Sequence, residues 1–192
     1  MLVHKDQYEQ AVAIAKATAQ GIKVENPITA EPGSLGPISN GRQYQKIQDL
    51  IQKGVSEGAV IETGGLGHPE GLDKGYFARP TIFSNVNNDM TIAREEIFGP
   101  VMVMIPYENL DHAIEIANDT IYGLAAYIQG SLEEAKSVAT KIRAGQVVIN
   151  GAELDFSAPF GGFKQSGNGR EWGAHGFEDF LEIKAVIEPV EQ

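Results

Sequence analysis

Apolar positions follow two rhythms along this chain, one of helical period and one of strand period, and their alternation predicts an α/β fold. Tyr8, Val12, Ala15, Ala19 and Ile22 are spaced by four, three, four and three residues, which marks one buried helical face. Residues 1–4 ahead of it read as a short strand, and Asp6 as the helix N-cap. Pro27, Pro32, Gly33, Gly36 and Pro37 mark residues 26–37 as a loop. A second helix is expected over 41–54, with Tyr44, Ile47 and Leu50/Ile51 inward. Residues 59–63 read as a strand, 64–75 as a glycine-rich surface excursion and 77–83 as another short strand.

The middle of the chain is more regular. Val101-Met102-Val103-Met104-Ile105 is a continuous apolar run, as in a strand covered on both faces. Leu110, Ala113, Ile114 and Ala117 then give a helix, and 124–128 a strand. Ser131 with Glu134 forms a capping box opening a helix that turns Ala135, Val138 and Ile142 inward. Gly145 suits its C-cap, and 146–150 is a third strand. Strands alternating with helices predict right-handed parallel connections. The expected fold is α/β, a mostly parallel twisted sheet with flanking helices. At the end, Leu181, Ile183, Ala185 and Ile187 alternate with Glu182, Lys184, Val186 and Glu188, the pattern of a half-buried strand. Pro189 fits a sheet edge. A terminal edge strand of this kind pairs with another segment or another chain.

Composition narrows what such a fold can do. With 192 residues, 42% of them hydrophobic, the chain can bury one real core. A net charge of −11 repels phosphate backbones and argues against a nucleic-acid partner. No cysteine is present, so disulfides, thiolate metal sites and a cysteine nucleophile from this chain are excluded. The start turns polar at once, and no apolar stretch approaches the roughly 20 residues that span a membrane. A cytoplasmic location is therefore expected.

Simple motifs yield little chemistry. Gly167-Asn168-Gly169-Arg170-Glu171-Trp172-Gly173 is one residue too long for a dinucleotide fingerprint and follows a polar loop, so it reads as a tight turn leading to a helix. His4, His68, His112 and His175 have no metal-ligand spacing, and no metal is expected. Glu95 and Glu96 are sequence neighbours and cannot face one another to share a proton. Two readings of them remain: a solvated helix end, or one carboxylate accepting two hydrogen bonds from a sugar diol.

Two longer stretches are distinctive. Residues 91–101, with Glu95-Glu96-Ile97-Phe98-Gly99-Pro100, resemble the acidic-Phe-Gly-Pro segment of aldehyde dehydrogenases. Residues 156–173, with Pro159-Phe160-Gly161-Gly162, resemble that family's C-terminal signature, and Gly36-Pro37 with Gln43 and Lys46 matches a third stretch. The resemblance spans essentially the whole chain. It implies that Glu96 holds the nicotinamide-side ribose, that Phe98 packs against the nicotinamide region, and that Gln43 and Lys46 contact a cofactor ribose. Phe160, with Phe156 beside it, would line the aldehyde tunnel. Asn150 would lie near the active centre, and carbonyls near Lys164 and Gly167 would bind a monovalent cation, as in betaine aldehyde dehydrogenases.

The departures from the family weigh as much. Its nucleophilic cysteine, general-base glutamate and cofactor-binding half belong upstream of the segment matched here. Its reaction forms a thiohemiacetal, passes hydride to NAD or NADP, and hydrolyses a thioester, and each step needs that sulfur. The expectation is a fragment of an NAD(P)-dependent aldehyde dehydrogenase: residues 1–180 the C-terminal part of the catalytic domain, residues 181–192 a terminal strand and tail for oligomerisation as a dimer or tetramer. No residue of this chain is expected to be catalytic. Alone, it should be inactive and bind NAD weakly or not at all. One alternative is a non-catalytic dimerisation or regulatory module. The other is a hydrolase using Asp155 or His175.

Overall fold

A computed structural model describes residues 1–190; Glu191 and Gln192, the end of the expected oligomerisation tail, lie outside the described residues. The elements in chain order are β1 (Leu2–His4), α1 (Tyr8–Gly21), α2 (Gly41–Ser56), β2 (Val60–Thr63), β3 (Thr81–Ser84), α3 (Thr91–Arg94), β4 (Val101–Val103), β5 (Ile105–Tyr107), α4 (Leu110–Asn118), β6 (Ala125–Ile128), α5 (Leu132–Ala139), β7 (Gln146–Ile149) and α6 (Gly173–Glu178). They fall into two compact units, Met1–Ala113 and Ile114–Gln192.

The first unit holds nearly all of the buried apolar side chains, among them Phe83, Ile47, Ile51 and Met104. Val12 and Ala19 of α1 join Val3, Ile82 and Met104 in one cluster, with Tyr8, Ala11 and Ala15 packed against it. The helical rhythm of the sequence therefore names the buried face of α1 correctly, except for Ile22, which follows the helix and is exposed. Asp6 is not its N-cap. A 3₁₀ turn over Lys5–Gln7 intervenes, and the His4 ring Nδ1 accepts the Asp6 N–H at 3.3 Å.

The apolar run at 101–105 is not one strand. β4 pairs in parallel with β3, whereas β5 pairs in parallel with β1. The handover occurs at Met104, whose N–H donates to the Phe83 carbonyl at 2.9 Å, while the Ile105 N–H donates to Met1 at 2.9 Å. Coverage on both faces is also incorrect, since Met102 is 42% exposed. β2 adds to β3 antiparallel, so the unit carries a three-stranded mixed sheet, β2-β3-β4, and the β1-β5 pair.

The second unit carries β6 and β7 paired in parallel over four residues, with α5 between them in sequence. The predicted cap of α5 is present in part: Ser131 Oγ accepts the Glu134 N–H at 3.3 Å. Gly145 has a different role from the C-cap expected of it, because α5 ends at Thr140. A Cβ on Gly145 would lie 1.6 Å from the Gly161 carbonyl oxygen, so this glycine permits two backbones to touch. Three of the four strand pairings are parallel, in keeping with the mostly parallel arrangement expected, but among the described residues the strands form three small sheets and not one. Residues 181–190 form no ladder within the described chain.

Candidate functional site

In the first unit, α2 seats the acidic-Phe-Gly-Pro turn through one face. Gln43 Nε2 donates to the Ile97 carbonyl at 2.9 Å and to the Phe98 carbonyl at 3.2 Å. Lys46 Nζ, one turn on, donates to the Glu96 carbonyl at 2.8 Å. Three successive carbonyls are therefore drawn toward the helix. Ile97 is the buried anchor. Gly99 lies so close to α2 that a Cβ there would be 2.4 Å from Ile47 Cδ1. Phe98 has φ 56° and is 72% exposed, and Glu96 is exposed beside it. A left-handed phenylalanine is strained, and the clamps on its two flanking peptides hold it there.

The support continues below the turn. Glu57, just past α2, accepts the Thr91 N–H at 2.7 Å and the Thr91 Oγ1–H at 2.6 Å, tying down the start of α3. The Thr91 hydroxyl and then its amide hold the Glu57 carboxyl below its ordinary value, aided by Lys53 at 3.2 Å. Gly54 lets Ile92 pack against α2, since a Cβ would meet Ile92 Cδ1 at 2.7 Å.

In the second unit, the C-terminal signature builds an aromatic cluster. Phe156 meets Trp172 edge-on at 4.7 Å, and Phe160 meets the same ring at 4.9 Å, tilted by 34°. Phe160 and Glu171 exchange backbone hydrogen bonds of 2.7 Å in both directions. Arg170 Nη1 donates to the Gly162 carbonyl at 2.9 Å and to the Gly169 carbonyl at 2.8 Å, closing the loop below the cluster. Both flanking glycines are required by contact, since a Cβ on Gly161 would lie 2.2 Å from Gly169 O and one on Gly162 2.6 Å from Ser166 Cβ.

Gln43, Lys46, Glu96 and Phe98 thus form one group, and Phe156 and Phe160 another, in separate units. Gln43 Nε2 donates to the turn's own backbone, and so does one of the three Nζ–H groups of Lys46. Sequence reading missed Trp172, the centre of the aromatic group, and Arg170; an aromatic inside a glycine-spaced loop was the available signal. Asn150 has φ 52° and turns its amide onto both backbone groups of Gly130, at 2.9 Å each. Lys164 Nζ donates to the carbonyls of Asn118 at 2.7 Å and Thr120 at 3.0 Å. Among the described residues no group of three His, Cys, Asp or Glu side chains could hold a metal ion. Asp155 accepts the hydroxyl of Ser157 at 2.6 Å and its N–H at 2.9 Å, and these bonds, the hydroxyl first, hold its carboxyl low, as suits a turn cap and not a base.

The family model described as "Aldehyde dehydrogenase family" matches residues 1–186. The chain belongs to that family. It is 55% identical over 188 residues to 3-succinoylsemialdehyde-pyridine dehydrogenase of a Pseudomonas species, covering 97% of this chain and 39% of that protein. A putative aldehyde dehydrogenase of Staphylococcus epidermidis is 52% identical over 187 residues, again 97% of this chain and 39% of the relative. Among solved structures, a cysteine-to-alanine mutant of aldehyde dehydrogenase C from Pseudomonas syringae, complexed with NAD⁺ and octanal, is 48% identical with a TM-score of 0.96. It covers 100% of this chain and 40% of that one. Mycobacterium tuberculosis aldehyde dehydrogenase complexed with NAD⁺ is 40% identical with a TM-score of 0.92, covering 100% of this chain and 39% of that one. This aldehyde dehydrogenase chain therefore spans about 39% of the length of the curated relatives it matches, and it holds no cysteine.

Proposed function

We propose that this chain is the cofactor-steadying and substrate-lining part of an NAD-dependent aldehyde dehydrogenase, which in full oxidises an aldehyde to a carboxylic acid. The observation that carries the reading is the clamp of Gln43 and Lys46 on the backbone of Glu96–Phe98, which leaves a carboxylate and a strained aromatic ring presented together. Those two side chains fit a nicotinamide riboside. An ionised carboxylate accepts two hydrogen bonds from a ribose diol, each worth about 1.5–3 kcal/mol, and an exposed ring offers a flat apolar wall. NAD⁺, when bound, accepts the hydride. Glu96 and Phe98 restrict how its reacting ring is presented, a contribution of orientation and not of chemistry.

Phe160 and Phe156 line the aldehyde path in this proposal, with Trp172 fixing both rings. An aromatic lining suits an apolar aldehyde such as the octanal bound by the Pseudomonas syringae relative. The covalent step needs a thiolate, and this chain has none to give. Residues 1–180 contribute to the catalytic domain and residues 181–192 to oligomerisation. Alone, the chain turns over no aldehyde and holds NAD⁺ weakly or not at all.

The test is hydride transfer in an intact enzyme carrying this segment. Glu96→Gln should slow single-turnover NADH formation by roughly tenfold or more, the scale of one lost charge-assisted hydrogen bond. An unchanged rate contradicts the assignment.

A second reading, a dimerising module, is favoured by the tail, where Ile183 is 100% exposed and Val186, Ile187 and Val190 are also open. Light scattering on the purified chain tests this second reading. A strict monomer at high concentration removes it.

A further inference from the structure

Asparagine followed by glycine is where a backbone amide most easily attacks a side-chain amide, because glycine has no Cβ to block the approach. The chain has three such pairs, Asn40-Gly41, Asn150-Gly151 and Asn168-Gly169. Two are held. Asn40 caps α2, its Oδ1 accepting the Gln43 N–H at 2.9 Å and its Nδ2 donating to Ser39 Oγ at 3.2 Å. Asn150 places both amide atoms on Gly130, at 2.9 Å each. Asn168 differs. It is exposed, and neither its side-chain amide nor the Gly169 N–H has a hydrogen-bond partner among the described residues.

We propose that Asn168 is a self-modification site at which the folded chain loses an amide. The Gly169 nitrogen bonds to Asn168 Cγ, the Cγ–Nδ2 bond breaks, and ammonia leaves with the proton shed by the attacking amide. A cyclic imide remains. Water opens it at one carbonyl to give aspartate on the original backbone, or at the other to give isoaspartate, with the main chain rerouted through Cβ and Cγ. Water is the only co-reactant, and no oxidant is involved.

The position makes the product consequential. Arg170 Nη1 grips the carbonyls of Gly162 at 2.9 Å, Gly169 at 2.8 Å and Asn168 at 3.4 Å. The Gly169 carbonyl fits against Gly161 only because the latter lacks a Cβ. Two residues later Glu171 is paired with Phe160, and Trp172 packs on Phe156 and Phe160. Isoaspartate inserts a methylene between these anchors and displaces Trp172 from its aromatic neighbours. Trp172 is the single tryptophan of the chain, so its emission reports that displacement directly.

The experiment incubates the purified full chain at mildly alkaline pH, folded or in urea, and follows amide-to-acid conversion at each asparagine by peptide mass mapping. In the folded chain Asn168 should convert at least roughly tenfold faster than Asn40 or Asn150, the equivalent of about 1.4 kcal/mol for opening their hydrogen bonds. In urea the three rates should converge. Gly169→Ala is accommodated, since its Cβ would meet only Asp179 Oδ2 at an ordinary 3.5 Å. That variant should slow conversion at Asn168 by a similar factor and hold Trp172 emission steady, while wild-type emission drifts with isoaspartate content. Equal rates at the three sites in the folded chain overturn the proposal, as does conversion in Gly169→Ala at the wild-type rate. Conversion that leaves Trp172 emission unchanged overturns the link to the aromatic cluster.

Discussion

Gln43 makes two hydrogen bonds, and the residue they restrain is Phe98. With the Gln43 amide removed, the Ile97 and Phe98 carbonyls lose their donor, and the strain at φ 56° is opposed only by the Lys46 bond to Glu96 and the packing of Ile97 and Gly99. Gln43→Ala should cost about 1–2 kcal/mol of stability and quicken chymotryptic cleavage after Phe98, read from the fragments. Unchanged cleavage would mean the turn is held by Lys46, Ile97 and Gly99 alone. Gly99→Ala tests that second hold. Its Cβ would sit 2.4 Å from Ile47 Cδ1 at the foot of the turn, and overpacking of this kind costs about 1–3 kcal/mol, measurable by urea unfolding. Glu57 adds a pH dependence. Its carboxyl is held below the ordinary 4.5 in the fold, first by the Thr91 hydroxyl. The stability it contributes is complete above the unfolded value and is lost as pH falls through the lower folded one. Wild type should therefore lose its advantage over Glu57→Gln in that acid window, seen as converging melting temperatures. A gap that persists at the lowest pH would exclude the carboxylate as its source.

Among the elements, the helices and the parallel β6–β7 pair across α5 were legible, and the pairings of the first unit were not. α1, α2 and α4 each carry an apolar face whose period the sequence displays, and Ile47 and Ile51 are buried as that period demands. The run at 101–105 shows the limit. Five apolar residues predict a strand, but not that the ladder passes from β3 to β1 at Met104, because that depends on partners far away in sequence. Gly145 is a similar case: its position near a helix end suggested a cap, whereas a contact with Gly161 is what excludes a side chain. Gly145→Ala should accordingly destabilise the second unit by more than about 1 kcal/mol, with loss of helical and strand signal in thermal melts. A neutral effect would show that the backbone can part. Of the candidate residues, Glu96, Phe98 and Phe160 were nominated through motif resemblance. Trp172 and Arg170 escaped because their roles arise from a loop folding back on Phe160.

Across the molecule as a whole, several large apolar side chains are exposed. Leu124 and Tyr127 around β6 are open to solvent, and so are Ile183, Val186 and Ile187 in the tail, although all are apolar. Exposed apolar side chains of this kind are what the proposed oligomerisation contact would cover. Removing residues 181–192 should reduce self-association in light scattering if the tail is the contact, and leave it unchanged if β6 is. The absence of cysteine bears most directly on function. Purified chain mixed with NAD⁺ and octanal, followed by NADH absorbance, should give no signal above the enzyme-free control. Steady NADH formation dependent on octanal would mean that catalysis proceeds without a thiolate, and would contradict the division of labour proposed for this chain.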